Sequence, residues 1–110
     1  MVKTPKPAVS VKGSPFFSPV YATVKKGSPE YIELNEAFDT IKADVLSGDK
    51  VAKGLWPEVY VEWGINNLYK FNLKGGRRLT YTIVAEESGY TAVILHYFRS
   101  HKEYEKLFGY

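Results

Sequence analysis

Three strand-like runs, joined by short turns that contain glycine, form the second half of this chain and constrain its fold more than any other feature. The runs are LYKFNLK (68–74), RLTYTIVA (78–85) and YTAVILHYF (90–98). They are rich in β-branched and aromatic residues, which favour strands. Residues 75–77 and 86–89 separate them, and connections this short join antiparallel neighbours. The sequence therefore predicts an antiparallel meander.

Helices are predicted on both sides of the meander. Ser28-Pro29 has the side-chain cap and the first-turn proline of a helix start. An apolar stripe at helical spacing follows, made of Tyr31, Leu34, Phe38, Ile41 and Val45. Ser47-Gly48 ends this helix, and Pro57 begins a short one that runs to about Trp63. Residues 100–110 form a terminal helix in which Ser100 and Glu103 make a capping box.

The N-terminal part is predicted less sharply. Residues 1–19 contain four prolines and are interpreted as a partly mobile extension. Within it, AVSVK (8–12) is a short strand that its prolines confine to a sheet edge, and VYATVK (20–25) is a further strand. At 110 residues the chain is expected to form one domain. The expected class is α+β, with the N-terminal helices on one face of the sheet and a short C-terminal helix.

Alternation along the first two strands of the meander predicts which side chains share a sheet face. A three-residue loop, 75–77, pairs Lys74 with Arg78 and Leu73 with Leu79, so that apolar residues stay on one side. The other face is then polar and consists of Lys70, Asn72, Lys74, Arg78, Thr80 and Thr82. Two like charges directly opposite each other are mildly destabilising. We therefore expect Arg78 to bind an anion.

The third strand leaves two alternatives open. A four-residue loop, 86–89, places Tyr97 and Arg99 on the Arg78 face and His96 on the core side, whereas a five-residue loop reverses this. In both cases the side chains with chemistry collect near Arg78 at one end of the sheet. They are His96, Tyr97, Arg99, His101 and Tyr104. The cluster combines anion-binding, stacking and proton-transfer groups.

Charge and composition narrow the class of function. Residues 1–26 carry five lysines and no acid, residues 27–67 have a net charge of −5, and residues 68–110 have +3. Basic ends around an acidic middle suggest a polyanionic partner. The chain has no cysteine, which excludes disulfides and thiol chemistry. We find no cluster with metal-ligand spacing, no membrane span and no secretion signal, so we expect no metal, no membrane partner and a cytoplasmic location.

The segments LYKFNLKGGRRLTYTI and HYFRSHKEYEKLFGY resemble the RelE/ParE superfamily of bacterial and archaeal toxins, with the order of elements matching from about residue 20. In RelE-like members the activity is cleavage of mRNA in the ribosomal A site, without a cofactor. The resemblance implies catalytic roles for Arg78, Arg99, His101 and Tyr104. The family's first strand lysine corresponds to Lys70, while its second falls on Asn72 in this chain.

The residues also suit this chemistry without the resemblance. RNA strand cleavage needs a base for the 2′-hydroxyl, a cation for the phosphorane and an acid for the leaving oxygen. His101 or Tyr104 can move protons, and Arg78 with Arg99 can bind phosphate. RNA contacts are expected at Lys70, Asn72, Lys74, Arg77 and Tyr97, with Tyr97 stacking on a base.

The predicted function is therefore that of a RelE-like endoribonuclease toxin acting on ribosome-bound mRNA, neutralised by an antitoxin protein that covers the basic sheet face. Two alternatives remain open at this point. One is a ParE-like toxin with the same fold, a gyrase target and no RNA cleavage. The other is a non-catalytic RNA-binding or regulatory domain.

Overall fold

The computed structural model describes residues 6–109 and shows a five-stranded mixed sheet with helices on both faces. The elements are β1 (Ala8–Gly13), α1 (Ser18–Ala22), α2 (Pro29–Ala43), β2 (Asp49–Lys50), α3 (Glu58–Glu62), β3 (Tyr69–Asn72), β4 (Arg78–Glu86), β5 (Gly89–Phe98) and α4 (His101–Phe108). The strands lie in the order β1-β5-β4-β3-β2. The predicted α+β class and the antiparallel meander of β3, β4 and β5 are confirmed.

The N-terminal strand belongs to the sheet. As predicted, β1 is an edge strand, and it pairs in parallel with β5. Pro7 and Pro15 flank it, so neither proline removes a hydrogen bond from the ladder. Residues 6–19 are thus part of the fold, while residues 1–5 of the predicted extension lie outside the described residues. Tyr110, in the predicted terminal helix, lies outside them as well.

The strand predicted at residues 20–25 is wrong, because this segment begins in a helix. Pro19 occupies the first turn of α1, a position that suits its fixed backbone angle. Phe17 and Tyr21 then lie on one side of this turn, with ring centroids 5.4 Å apart. The β-branched residues favoured a strand, but β1 already fills the place beside β5.

The long helix and the terminal helix begin as predicted. The Ser28 hydroxyl accepts a hydrogen bond from the Tyr31 amide (3.1 Å) at the start of α2. The Ser100 hydroxyl accepts one from the Glu103 amide (3.1 Å) at the start of α4. Each cap satisfies an amide that has no partner within its helix. The short helix predicted after Pro57 is α3.

Hydrophobic clusters cover both faces of the sheet. On one face, Leu34 and Ile41 of α2 pack against Leu79, Tyr81 and Ile94 of the strands. On the other face, the cluster is formed by Val51, Tyr60, Leu68 and Leu95, with Trp63, Leu107 and Phe108 packed against it. The polar face predicted from alternation is therefore covered over much of its length by α3 and α4.

The register of β3 and β4 differs from the prediction by two residues. Asn72, not Lys74, lies opposite Arg78, and Phe71 lies opposite Leu79. The connection is a five-residue loop, 73–77, closed by a hydrogen bond from the Leu73 amide to the Arg77 carbonyl (2.8 Å). A shift of two residues keeps every side chain on its predicted face. The like-charge pair of Lys74 and Arg78 does not form.

A β-bulge settles the two alternatives for the third strand. From the turn to the pair Tyr81–Ile94, β4 and β5 follow the register of the four-residue loop. The register then shifts, and Thr80 pairs with His96 and Leu79 with Tyr97. A bulge inserts one extra residue and reverses the faces beyond it. His96 consequently shares the face of Arg78, and Tyr97 belongs to the face covered by α2.

Gly48 lies where the turn after α2 contacts the sheet. Its amide donates to the Tyr81 hydroxyl (3.0 Å), which donates to the Val45 carbonyl (2.8 Å). A β-carbon on Gly48 would lie 2.7 Å from both the Lys70 carbonyl oxygen and the Tyr81 hydroxyl oxygen. Gly54 provides a matched control, since a β-carbon there meets no heavy atom within 4 Å.

We expect Gly48→Ala to lower the free energy of unfolding by about 1–3 kcal/mol, because the added methyl group must displace backbone and a hydrogen-bonded hydroxyl. Gly54→Ala should change it by no more than about 0.5 kcal/mol. Urea unfolding of the two variants beside the wild type measures the difference. Equal effects of the two substitutions would show that the turn at Gly48 has room to adjust.

Candidate phosphate-binding site

Arg78 begins β4 at the end of the sheet where α4 packs. It lies opposite Asn72 of β3, and Lys70 follows on the same face opposite Thr80. His101 begins α4, and its ring and the Arg78 guanidinium both contact the Tyr104 ring. We refer to Lys70, Asn72, Arg78 and His101 as the Arg78 surface. All four side chains are at least partly exposed, so this part of the polar face remains open to a ligand.

The ring of Tyr104 contacts the side chains of both Arg78 and His101. The guanidinium carbon of Arg78 lies 4.5 Å from the centroid of the Tyr104 ring, a cation–π contact. The His101 ring is parallel to the same ring at 6.4 Å. Tyr104 itself is only 1% exposed. Its buried ring supports the cation, and a proton-transfer role for its hydroxyl stays a prediction.

His101 pairs with Glu105 one helical turn further on. The imidazole Nε2 lies 2.8 Å from the carboxylate Oε1. When Nε2 carries the proton that Glu105 accepts, the neutral ring presents Nδ1 as an acceptor. Both side chains are about half exposed. This arrangement suits a proton acceptor at the edge of the Arg78 surface.

The Arg78 surface ends where α3 begins to cover the sheet. Thr80 is fully buried, and its hydroxyl lies 2.7 Å from the hydroxyl of Tyr60 on α3. Thr82 is buried as well, and it donates to the Asn67 carbonyl (2.7 Å). Neither threonine is available to a polyanion. Of the predicted polar sheet face, only Lys70, Asn72 and Arg78 remain accessible.

Arg77 and Tyr97 lie on the opposite face, where they belong to a network with α2. The Arg77 guanidinium forms an ion pair with Glu33 and donates to the Tyr97 hydroxyl (3.0 Å). That hydroxyl donates to Glu30 (2.6 Å), which also accepts from Nε of Arg99 (3.1 Å). We call these five residues the α2 clamp.

The α2 clamp contains three of the predicted site residues, whose RNA and catalytic roles stay predictions. Tyr97 is only 6% exposed, which leaves little of its ring for stacking on an RNA base. Arg77 is paired with Glu33 and donates to the Tyr97 hydroxyl. Arg99 lies across the sheet from Arg78, beside Glu30. The hydrogen bond from Tyr97, aided by Arg99, holds the pKa of Glu30 below its ordinary value.

Lys74 was predicted on the sheet face but lies, exposed, on the 73–77 loop. Its backbone amide donates to the second carboxylate oxygen of Glu33 (3.0 Å). Lys74 lies beside α2, where it and Glu33 line the same surface depression. A contact between Lys74 and RNA stays a prediction.

His96 lies on the same face as Arg78 but within a set of aromatic rings. Its ring is stacked on Trp63 at 5.6 Å, and Nδ1 is 2.6 Å from the Tyr60 hydroxyl. Phe16 covers this pair and stacks on Trp63 at 4.5 Å. Burial lowers the pKa of His96 below its ordinary value. The neutral ring is therefore the form that the fold favours.

We expect the free energy of unfolding to fall as the pH is lowered below about 6.5, the ordinary pKa of histidine. In that range the unfolded chain binds a proton that folded His96 does not, so acid favours unfolding. The slope from one proton is at most about 1.4 kcal/mol per pH unit. Urea unfolding between pH 7.5 and 5.5 measures it. His96→Gln should reduce the slope, and an unchanged slope would contradict the assignment.

Neither a group of metal-binding side chains nor a membrane-spanning helix is found within residues 6–109. No group of three or more His, Asp or Glu side chains there is arranged to hold a metal ion. Within the same residues, no helix combines the length and the apolar character needed to cross a bilayer. Comparison of the chain with protein-family models, with curated proteins and with solved structures found no match.

The sequence did not predict the acidic partners of Arg77 and Arg99. Glu30 and Glu33 stand in the first turns of α2, where acids are common because they favour the helix dipole. Their spacing of three residues places both on one side of the helix, which is the signal that was available. It did not indicate that this side meets Arg77 and Arg99, because that depends on how α2 crosses the sheet.

Proposed function

We propose that this chain is a RelE-like toxin that cleaves ribosome-bound mRNA, with Arg78 binding the scissile phosphate and His101 taking the proton of the attacking hydroxyl. Such a protein acts in the cytoplasm, where translating ribosomes are. It also requires an antitoxin, whose acidic groups would cover the Arg78 surface. The resemblance of the sequence to RelE-like toxins supports the proposal together with the geometry of this surface.

The observation that carries the proposal is the contrast between Arg78 and the other two arginines of the chain. Arg77 and Arg99 are paired with Glu33 and Glu30. Among residues 6–109, Arg78 has no carboxylate partner. Its guanidinium is held by the Tyr104 ring, which leaves its N–H donors for a ligand. A planar guanidinium binds phosphate oxygens in a bidentate manner.

The cleavage step uses the ribose 2′-hydroxyl as the nucleophile. His101 Nδ1 takes the hydroxyl proton, the oxygen attacks phosphorus, and the bond from phosphorus to the 5′-oxygen breaks. The 5′-oxygen takes a proton from water as it leaves, and His101 later returns its own proton to solvent, so the products end in a 2′,3′-cyclic phosphate and a 5′-hydroxyl group. Arg78 stabilises the charge that develops on the phosphorane oxygens. This route proceeds without a metal ion.

A non-catalytic RNA-binding domain is the second candidate, and one observation favours it. His101 is already paired with Glu105, and Tyr104 is buried, which limits the access of RNA to both predicted proton-transfer groups. Such a domain would bind RNA through Lys70 and Arg78 without cutting it. A gyrase-directed toxin is distinguished by its target, since it would leave mRNA intact.

Expression of the chain in growing cells separates these functions. The proposal expects arrested growth, mRNA cut within codons, and normal plasmid supercoiling. Expression of Arg78→Ala at the same level should restore growth and intact mRNA. Arrest with intact mRNA and altered supercoiling would favour a gyrase target. Normal growth with intact mRNA would favour the binding domain.

The buried position of Tyr104 gives a test of its role. Tyr104→Phe keeps a ring below Arg78, so we expect cleavage within about threefold of the wild-type rate. Tyr104→Leu removes the cation–π contact and should lower the rate about tenfold. Single-turnover cleavage of a short RNA measures both variants. A loss of about a hundredfold or more in Tyr104→Phe would mean that the hydroxyl transfers a proton after all.

A further inference from the structure

Glu33 contacts the loop that precedes Arg78 at two points. One carboxylate oxygen accepts from the Lys74 amide (3.0 Å), and the other pairs with the Arg77 guanidinium. Nε of Arg77 also donates to the Lys74 carbonyl (3.2 Å). The first and last parts of the 73–77 loop are thereby joined through a single side chain of α2.

The same loop is seated against the start of α4. A β-carbon on Gly76 would lie 3.3 Å from the β-carbon of His101, so the two backbones are close. Gly75 and Gly76 both have positive φ angles, 69° and 78°, which glycine adopts without strain. Two adjacent glycines give the loop many alternative conformations, and an external contact is needed to select one of them.

We propose that Glu33 is a positioning residue for the Arg78 surface. It fixes the 73–77 loop in the conformation that directs Arg78 and supports His101, and it does so without touching RNA. The consequence for RNA rests on the proposed function, but the consequence for the positions of Arg78 and His101 does not. Charge-assisted hydrogen bonds of this kind are among the stronger local contacts.

The opposite role for Glu33, in which it only neutralises Arg77, makes the reverse prediction. If Glu33 merely neutralised Arg77, its removal would free a cation next to Arg78. RNA binding would then become tighter, and it would depend more steeply on salt by about one ion. The partial burial of the pair favours positioning, since Arg77 and Glu33 are only 22% and 18% exposed.

The test compares Glu33→Ala and Glu33→Gln with Glu36→Ala, which removes an exposed carboxylate of the same helix outside the α2 clamp. The first readout is the set of backbone amide NMR signals in the free protein. Glu33→Ala should move the signals of residues 73–78 and 101. Glu33→Gln, whose carbonyl can still accept from the Lys74 amide, should move them less. Glu36→Ala should leave them unchanged.

The second readout is equilibrium binding of a short single-stranded RNA at several salt concentrations. We expect Glu33→Ala to bind about tenfold more weakly, the loss of one charge-assisted hydrogen bond, with an unchanged salt slope. Rescue by Glu33→Gln would identify the contact with the loop amide as the cause. Tighter binding with a steeper slope would overturn the proposal.

The NMR and RNA-binding measurements distinguish a failure of the positioning role of Glu33 from a failure of the proposed function. If the wild type does not bind RNA, the proposed function fails, and the NMR signals alone decide whether Glu33 positions the loop. Signals of Arg78 and His101 that stay at their wild-type positions in Glu33→Ala would overturn the inference. So would changes spread evenly over the sheet, because they would indicate a general loss of stability.

Discussion

Arg78→Ala should lower the rate of RNA cleavage by about 10²–10³-fold, the effect of removing one donor that stabilises a developing oxyanion. Arg78 lacks a carboxylate partner among residues 6–109, and its guanidinium is fixed over the Tyr104 ring. Its donors are therefore arranged before the substrate binds, and they exert their largest effect when charge develops on the phosphorane. Single-turnover cleavage measures the loss.

Two further variants show whether the effect belongs to this side chain. Arg78→Lys keeps the charge but loses the planar pair of donors, so an intermediate rate is expected. Lys12→Ala removes an exposed cation from β1, at the far edge of the sheet. It should stay within about threefold of the wild type, because a distant surface charge contributes only to nonspecific attraction. Equal losses in Lys12→Ala and Arg78→Ala would reduce the role of Arg78 to net charge.

His101→Gln should lower the cleavage rate by about 10²–10³-fold while RNA binding changes by less than about threefold. The His101 imidazole is oriented by Glu105, and glutamine can keep a polar contact there but cannot accept the hydroxyl proton. Cleavage and equilibrium binding are measured on the same RNA. This separation of rate from affinity is what a proton-transfer role predicts.

Lys102→Gln is the matched control, since it alters the next side chain of α4, which is also exposed. It should leave the rate of bond cleavage nearly unchanged. If His101→Gln and Lys102→Gln both weaken binding and leave the rate alone, α4 contributes only to affinity. The non-catalytic RNA-binding domain would then be the better description.

Local signals in the sequence predicted the elements of this fold but not their exact pairing. Ser28 and Ser100 cap helices because the hydrogen bond forms between residues three apart. The five-residue loop at 73–77 depends instead on Glu33, which lies on a distant helix. The bulge that places His96 beside Tyr60 depends likewise on packing between α3 and β5.

Local patterns likewise predicted the sheet face of Arg78 but not the long-range partners of the other site residues. Arg78 keeps its predicted face because alternation survives a shift of two residues. Arg77 and Tyr97 were assigned to RNA because arginine and tyrosine often bind it, but their partners in α2 were not deducible from neighbouring residues. The predicted anion site was also argued from a like-charge pair that does not form. Within residues 6–109, Arg78 instead has no carboxylate partner.

The most direct test of the central claim is cleavage of mRNA in a translating extract, with the wild type beside Arg78→Ala and with the new ends identified. The account predicts cuts within codons that carry 2′,3′-cyclic phosphate and 5′-hydroxyl ends and that disappear with Arg78→Ala. Intact mRNA with the wild type, or cuts that persist in Arg78→Ala at the wild-type rate, would contradict it.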